Sequence, residues 1–412
     1  MEHIVIVGAG HAGTQLAESL RHNDFTAAIT LVNAEAGLPY QRPPLSKDHL
    51  AQAAPPEPLP LKTHQFLTDH DITLIEATSV LDIDRTAGTV HLSNGENLRY
   101  SELVLATGAR NRLLAVPGTN LSGIHYLRTA DDASRLHDAL ATARTVAVVG
   151  AGFIGLEFAA AARARGLGVT VIEHHSRPMA RAVSADMSQV VADTHAADGI
   201  RLVLGESITA FDGDGTQVSA VLGQNSRRYP ADLVVVGIGV EPATEVATTA
   251  GLATEYGGIL VDAFLRTNDE HIWAIGDCAE FPCPHAGTPT RRESVQNAVD
   301  HARTLARTLT GSPTEYSSLP WFWSNQGRIK LQIAGIGNAD DLCIPHGDPH
   351  SGRFSVYRFR QDKLTCVESL NNPAVHIAAR KALAKGTTPT PAEVTADGFD
   401  LKHFVAREPT SC

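Results

Sequence analysis

Two glycine-rich hexapeptides stand out for what they could bind: Gly8-Ala9-Gly10-His11-Ala12-Gly13 and Gly150-Ala151-Gly152-Phe153-Ile154-Gly155. Glycine at these positions lets the backbone turn tightly and approach a pyrophosphate. The phosphate then sits at a helix N-terminus, where amide N–H groups and the helix dipole favour negative charge. A lone G-x-G-x-x-G is weak evidence, because glycine-rich turns are common. Here each copy follows an apolar run (HIVIV at 3–7, TVAVV at 145–149) and precedes a helical stretch. Each also has an acid about 20 residues further on, Glu35 or Glu173. A carboxylate there accepts hydrogen bonds from ribose hydroxyls, so the chain is expected to hold two dinucleotides. At the second site Glu173 favours a free 2′-hydroxyl over the 2′-phosphate of NADPH. His174, His175 and Arg177 beside it could soften that preference.

Positioning such loops takes strand–loop–helix–strand units, and the same order recurs 142 residues apart. In the first unit a helix runs to about Arg21 and the strand AITLV ends near Glu35. In the second an alanine-rich helix leads to VTVIE, ending at Glu173. SELVLATGAR (101–110) and ADLVVVGIGVEP (231–242) read as strands closed by glycine. HIWAIGDCAE (271–280) ends a strand at Gly276-Asp277, where the acid can accept hydrogen bonds from a ribityl chain. RRESVQNAVDHARTLARTL reads as a helix. Beyond residue 319 the pattern changes to alternating, β-rich segments (PWFWSNQGRIKLQIAGI, FSVYRF, LTCVESL), then a short helix (HIAARKALAKG) and a Thr/Pro-rich tail. A domain boundary is expected near 319.

The 412 residues are 43% hydrophobic and 19% charged, which implies two or three globular domains. No stretch approaches the ~20 apolar residues of a membrane span. The apolar strand begins directly after Met1 and Glu2, leaving no room for a signal peptide, so a cytoplasmic protein is expected. The net charge of −11 argues against nucleic-acid binding. From residue 320 onward there are eleven Lys+Arg against nine Asp+Glu, compared with 23 against 36 before it. That end is either ordinary solvated surface or a docking face for an acidic protein. The five cysteines (278, 283, 343, 366, 412) include no C-x-x-C pair, and read as reduced core or surface thiols. The 19 histidines show no H-E-x-x-H spacing, and no metal site is expected.

Along nearly its whole length the chain resembles the FAD-dependent ferredoxin reductases of bacterial oxygenase systems, of the putidaredoxin reductase type. The matching stretches are PYQRPPLSK (39–47), ATGAR (106–110), YLRTADDA (126–133), GAGFIGLEFAA (150–160), GIGVEPATE (237–245), GDCA (276–279), ESVQNA (293–298) and PWFWSNQ (320–326). The resemblance implies an α/β fold with two nested Rossmann-type domains, glutathione-reductase-like, plus a C-terminal α+β domain near the flavin. The FAD-binding domain would span 1–112 and 241–318, the NADH-binding domain 113–240, and the C-terminal domain 319–412.

For FAD, the resemblance implies contacts from Gly8, Gly10, Ala12 and Gly13 to the pyrophosphate and from Glu35 to the adenosine ribose. Further contacts fall to Arg42, Lys47, Val80, Thr107, Gly108, Arg128, Gly276, Asp277 and Val295. For NADH it implies Gly150, Gly152, Phe153, Ile154, Gly155, Glu157, Glu173, Arg181, Gly237 and Gly239. Lys47 would lie beside the isoalloxazine, paired with Glu157, and Trp323 over the flavin on the acceptor side. These three are the candidate catalytic residues. From the W-x-W spacing, one of Trp321 and Trp323 is expected to face inward and the other outward. Asn325 stands where the family commonly has Asp, which removes any charge-based role at that position.

NADH gives two electrons as a hydride, whereas an iron–sulfur cluster accepts one, so a flavin between them must hold a pair and release it singly. The implied partner is a two-iron ferredoxin, acidic if it docks at the C-terminal end, where Arg380, Lys381 and Lys385 cluster. The implied assembly is a monomer or weak homodimer. The rivals are a cysteine-dependent reductase, an NADH oxidase, and an NADH-sensing flavoprotein like apoptosis-inducing factor. The first resembles C-G-L-P-Y where this chain has Ala36-Gly37-Leu38-Pro39-Tyr40, so the required thiol is missing.

Overall fold

The computed structural model describes residues 2–407 except 53, 55, 225 and 256. The chain forms two compact units. One comprises the N-terminal segment to Gln41 with Pro58–Arg110 and Val240–Ser318; the other comprises Arg42–Glu57, Asn111–Gly239 and the segment from Leu319.

The first unit is built on a parallel sheet in the order Ile272–Ala274, Glu102–Leu105, His3–Val7, Ala28–Val32, Ile72–Ile75. Its central strand is buried from Ile4 to Val7, which is why it reads as a continuous apolar run instead of an alternating one. The helix His11–His22 follows it directly and packs against Val295–Leu309. Leu16, Leu20, Ala302 and Leu305, all fully buried, lie on these two helices.

The second unit repeats the plan with a parallel sheet ordered Arg201–Leu204, Gly168–Glu173, Thr145–Val149, Leu233–Val236, Ile124–His125. To it the C-terminal segment adds an antiparallel sheet ordered Trp321–Gln326, Ile329–Gly335, Lys363–Leu370, Phe354–Arg360, Leu342–His346. One core joins them: Val148, Leu156, Phe158 and Met187 cluster with Leu331, Ile333, Phe354 and Val356. The fold is therefore two Rossmann-type units, the strands of the second interrupting those of the first along the chain, followed by an α+β module.

Two details depart from expectation. Trp321 and Trp323 do not point to opposite sides: their rings lie 5.5 Å apart on one face of the strand Trp321–Gln326. The side-chain period of a strand is two, so residues i and i+2 must share a face. The opposite face carries Phe322, Ser324 and Gln326, and Phe322 meets Phe153 at 4.5 Å. The Thr/Pro-rich tail also folds, into the helices Pro391–Thr395 and Leu401–Arg407. Thr390 and Glu393 close the first of these with a capping box.

Candidate functional site

Both glycine loops are shaped by contacts that no side chain could share. Gly8 (φ +104°) turns the chain out of its strand, and a Cβ there would sit 2.2 Å from the Ala106 carbonyl oxygen. A Cβ on Gly13 would sit 2.0 Å from the Gly8 oxygen, so the helix can approach the strand only with glycine at this point. The second loop repeats this, with 2.5 Å from Gly150 to the Gly237 oxygen and 2.2 Å from Gly155 to the Gly150 oxygen. The middle glycine differs in each copy. A Cβ on Gly10 meets nothing within 4 Å, and one on Gly152 only the Gly237 oxygen at 4.0 Å. Gly10 and Gly152 are also N-caps without a side-chain cap, so no side chain competes for the first-turn amides. An open space in front of uncapped amides fits a pyrophosphate.

Both acids expected to meet a ribose accept hydrogen bonds from the protein itself. Tyr40 donates its hydroxyl to Glu35. Glu173 is buried, its Oε2 accepting from the Ala151 amide (2.7 Å) and its Oε1 from the His175 amide (2.8 Å). The carboxylate is thus held at the second glycine loop, with lone pairs left for a ribose. Arg177 is turned away from any such role. Its Nη1 donates to the Val183 and Ser184 carbonyls (2.8 and 3.3 Å) and its Nη2 to Ala180 (2.7 Å). His174 Nδ1 pairs with Ser207 Oγ at 2.7 Å. Arg181 lies near Gly239, where a Cβ would be 3.6 Å from its Nη2.

Lys47 and Glu157, 110 positions apart, meet in the second unit with Nζ 2.7 Å from Oε2. Lys47 Nζ also donates to the Pro43 carbonyl at 3.0 Å. Glu157 is 4% exposed, and a carboxylate so buried needs donors. Besides the ammonium it receives Ser46 Oγ on Oε2 (2.5 Å) and Ser324 Oγ on Oε1 (2.6 Å). Ser324 is in turn the acceptor of Gln326 Nε2 at 3.1 Å. None of Ser46, Ser324 or Gln326 is among the candidates that the sequence offers. Ser46 lies in the matching stretch PYQRPPLSK, and Ser324 and Gln326 lie in PWFWSNQ, whose even-numbered positions face the helix carrying Glu157.

The remaining candidates divide by unit. In the first, Thr107 Oγ1 donates to the Ala243 carbonyl (2.6 Å), Gly108 accepts from the Ala243 amide, and Arg291 Nη1 donates to the Asp277 carbonyl (3.2 Å). The Gly276 amide donates to His301 Nδ1 at 3.1 Å. Ala12 lies under Gly276, whose Cβ would be 3.1 Å from the alanine methyl. Val80 opens the strand Val80–Asp84, and Val295 opens its helix behind the Ser294 cap. In the second, Arg42 Nη1 donates to the Arg128 carbonyl (2.8 Å). Ile154 is exposed on the second glycine loop, and Trp323 is half-buried beside Trp321, over which Arg380 is stacked at 4.1 Å.

Cys278, Cys283, Cys343 and Cys366 are free thiols, and burial pushes those of Cys278 and Cys366 up, away from the reactive thiolate. Cys412 lies outside the described residues. Among the described residues, no helix is long and apolar enough to cross a membrane, and no group of three or more His, Cys, Asp or Glu is placed to hold a metal.

Two glycine-loop sheets, each with an acid at or just after the end of its second strand, together with a buried acid–lysine pair, are the frame of an oxidoreductase that works with FAD and a pyridine nucleotide. The chain belongs to the pyridine nucleotide-disulphide oxidoreductases, whose family profile matches residues 2–302, and residues 321–405 match the reductase C-terminal family. It is 48% identical over 404 residues to rhodocoxin reductase of Rhodococcus erythropolis, covering 98% of this chain and 94% of that protein. Among solved structures, the ferredoxin reductase for the CYP199A2 system from Rhodopseudomonas palustris superposes with a TM-score of 0.95. The two are 44% identical, covering 98% of this chain and 99% of that one. The covalent putidaredoxin reductase–putidaredoxin complex gives 0.94 at 34% identity, covering 98% of each chain.

Proposed function

We propose that this chain takes a hydride from NADH onto FAD and passes single electrons to a two-iron ferredoxin that feeds a cytochrome monooxygenase or aromatic-ring dioxygenase. The observation that carries the reading is the similarity, over 98% of the chain, to reductases named for such carriers. A bound FAD supplies the means to accept an electron pair and release it one electron at a time.

In this reading the residues bind, orient and set charge. Gly10 and the first-turn amides of His11–His22 receive the FAD pyrophosphate, and Glu35 its ribose. Gly152 and Glu173 do the same for NADH. With Arg177 committed to three carbonyls, the 2′-phosphate of NADPH would meet the Glu173 carboxylate without the Arg177 guanidinium to offset it, which favours NADH. The Lys47 ammonium, pinned between Glu157 and Pro43, holds a fixed positive charge for the flavin edge where the nicotinamide docks. Trp323 offers an aromatic face on the acceptor side. The partner is acidic, meeting Arg380, Lys381 and Lys385, and the protein acts as a monomer or weak dimer.

The test is anaerobic stopped-flow mixing with NADH, then with an oxidised two-iron ferredoxin. Fast bleaching followed by ferredoxin reduction, slowing as salt rises, is the expected result. Bleaching without transfer to any ferredoxin, and fast turnover with oxygen, would assign the protein as an oxidase.

A further inference from the structure

The hydrogen bonds around Glu157 do not stop at Ser324. Ser324 Oγ accepts from Gln326 Nε2 (3.1 Å), and Gln326 Oε1 accepts from His195 Nε2 (2.9 Å). Ser324 and Gln326 are fully buried and His195 is 1% exposed. Each link fixes the next. The amide oxygen of Gln326 can only accept, so His195 carries its proton on Nε2. That bond turns the Gln326 amide nitrogen toward Ser324. With a lone pair of Ser324 so occupied, its hydroxyl proton points at Glu157 Oε1. The Gln326 amide nitrogen has a second, weaker contact to Met179 Sδ at 3.6 Å, and the Ser324 hydroxyl proton is the one the row delivers to the carboxylate.

A row of this kind is costly to keep in a core where apolar residues would pack, and neighbouring strands do place Leu331, Ile333 and Val356 there. It ends at a histidine whose Nδ1 has no hydrogen-bond partner among the described residues and whose imidazole is pushed down by burial. What the row accomplishes lies at its other end. Ser46 and Lys47 come from one short segment and both use Oε2. They alone would leave the carboxylate free to rotate and exchange oxygens. Ser324 engages the second oxygen and fixes the plane of the group.

We propose that Ser324, oriented by Gln326 and His195, is a positioning residue that holds the Glu157 carboxylate in the one orientation that pins the Lys47 ammonium. The inference rests on the reading of the Lys47–Glu157 pair as serving hydride transfer from NADH.

The experiment uses the FAD-loaded protein and four variants: Ser324→Ala, Ser324→Thr, Glu157→Ala and the double variant Glu157→Ala/Ser324→Ala. Ser369→Ala serves as control, since Ser369 is equally buried in the same sheet and its hydroxyl has no partner. Ser324→Ala should slow the limiting rate of flavin reduction by NADH about five- to ten-fold, with KM for NADH changed less than about two-fold. Ser324→Thr, which keeps the hydroxyl, and Ser369→Ala should stay within about two-fold of the parent. In the Glu157→Ala background, Ser324→Ala should add no further slowing. Equilibrium urea unfolding gives a readout independent of turnover: Ser324→Ala should lower the midpoint in the parent and less so in Glu157→Ala.

Additive slowing in the double variant, an equal loss in Ser369→Ala, or a parental rate in Ser324→Ala while Glu157→Ala is slow would each overturn the positioning role and leave the pair standing. A parental rate in Glu157→Ala would overturn both. Should Ser324→Ala fail to fold, Gln326→Met frees the Ser324 hydroxyl without deleting it. It should slow reduction about two- to five-fold, and an unchanged rate would reject the inference.

Discussion

Replacing Gly10 and Gly13 separately by alanine distinguishes what the first glycine loop does for the fold from what it does for FAD. A Cβ at position 13 would begin 2.0 Å from the Gly8 oxygen. Reaching ordinary contact near ~3.5 Å then requires the helix and strand to part by more than an ångström. Overpacking of that kind costs at least about 1–3 kcal/mol. At position 10 the methyl meets nothing within 4 Å, and the backbone (φ −67°, ψ −165°) suits alanine. The gain from a stiffer unfolded chain, ~0.4–1 kcal/mol, is offset by alanine's weakness as an N-cap, leaving stability within about 0.5 kcal/mol of the parent. The methyl nevertheless stands where the pyrophosphate is proposed to approach. FAD affinity should therefore fall at least about 100-fold, or ~2.7 kcal/mol. Urea unfolding of the FAD-stripped proteins and fluorescence titration with FAD measure the two quantities. Parental FAD affinity in Gly10→Ala, or destabilisation there equal to that of Gly13→Ala, would refute the reasoning.

Glu173→Ala should reduce kcat/KM for NADH by about ten-fold, ~1.4 kcal/mol, yet leave NADPH the poorer substrate because Arg177 stays tied to its carbonyls. Steady-state kinetics with both coenzymes decide this, and a variant that prefers NADPH would show the guanidinium to be free. His301, fully buried, has its imidazole pushed down to about 3 from the ordinary 6.5. Its contribution to stability is complete above pH 6.5 and is lost as pH falls toward 3. Between pH 7.5 and 5.5 it accounts for about 1.4 kcal/mol. A His301→Gln variant, which does not titrate, should lose correspondingly less over that interval in urea unfolding; an identical loss would place the effect elsewhere. Glu368 is buried and receives Arg358 Nη1 (2.8 Å) together with the amide and hydroxyl of Ser184 (2.8 and 2.5 Å). Glu368→Leu leaves a buried guanidinium without its main partner. It should cost about 3–5 kcal/mol, visible as a lowered thermal midpoint, and an unchanged midpoint would count against a stabilising role.

The parts of the site that could be read from the sequence are those whose chemistry constrains local spacing. A pyrophosphate cradle needs its glycines within six residues and its acid one strand later, so both copies are visible as a repeat. Lys47 and Glu157 are legible through family resemblance alone, because nothing local links residues on separate elements. Ser324 and Gln326 lie within the matching stretch PWFWSNQ, but nothing in it marks them as partners of Glu157, and His195 has no local signal of any kind. A buried serine, glutamine or histidine has no characteristic spacing, and each becomes polar machinery only through what the fold sets against it. The tryptophan expectation fails for a different reason: opposite faces belong to adjacent residues of a strand, and W-x-W spacing puts both rings on one face. The helices after residue 390 were hidden because proline and threonine read as a tail, although Thr390, Pro391 and Glu393 are a cap, a first-turn proline and a capping-box acid.

The placement of the three tryptophans gives the protein an optical label on each unit. Trp273, in the first, is held by its indole N–H on Glu102 at 2.6 Å. Trp321 and Trp323, in the second, lie 5.5 Å apart with their planes inclined by 31°. Two indoles so close share their excitation, and the pair should produce a far-ultraviolet circular dichroism couplet that a solitary indole cannot. Loss of the couplet during unfolding would report on the antiparallel sheet alone, while quenching of the solitary indole would follow the parallel sheet of the first unit. The order in which the two units melt can thus be watched without attaching any dye.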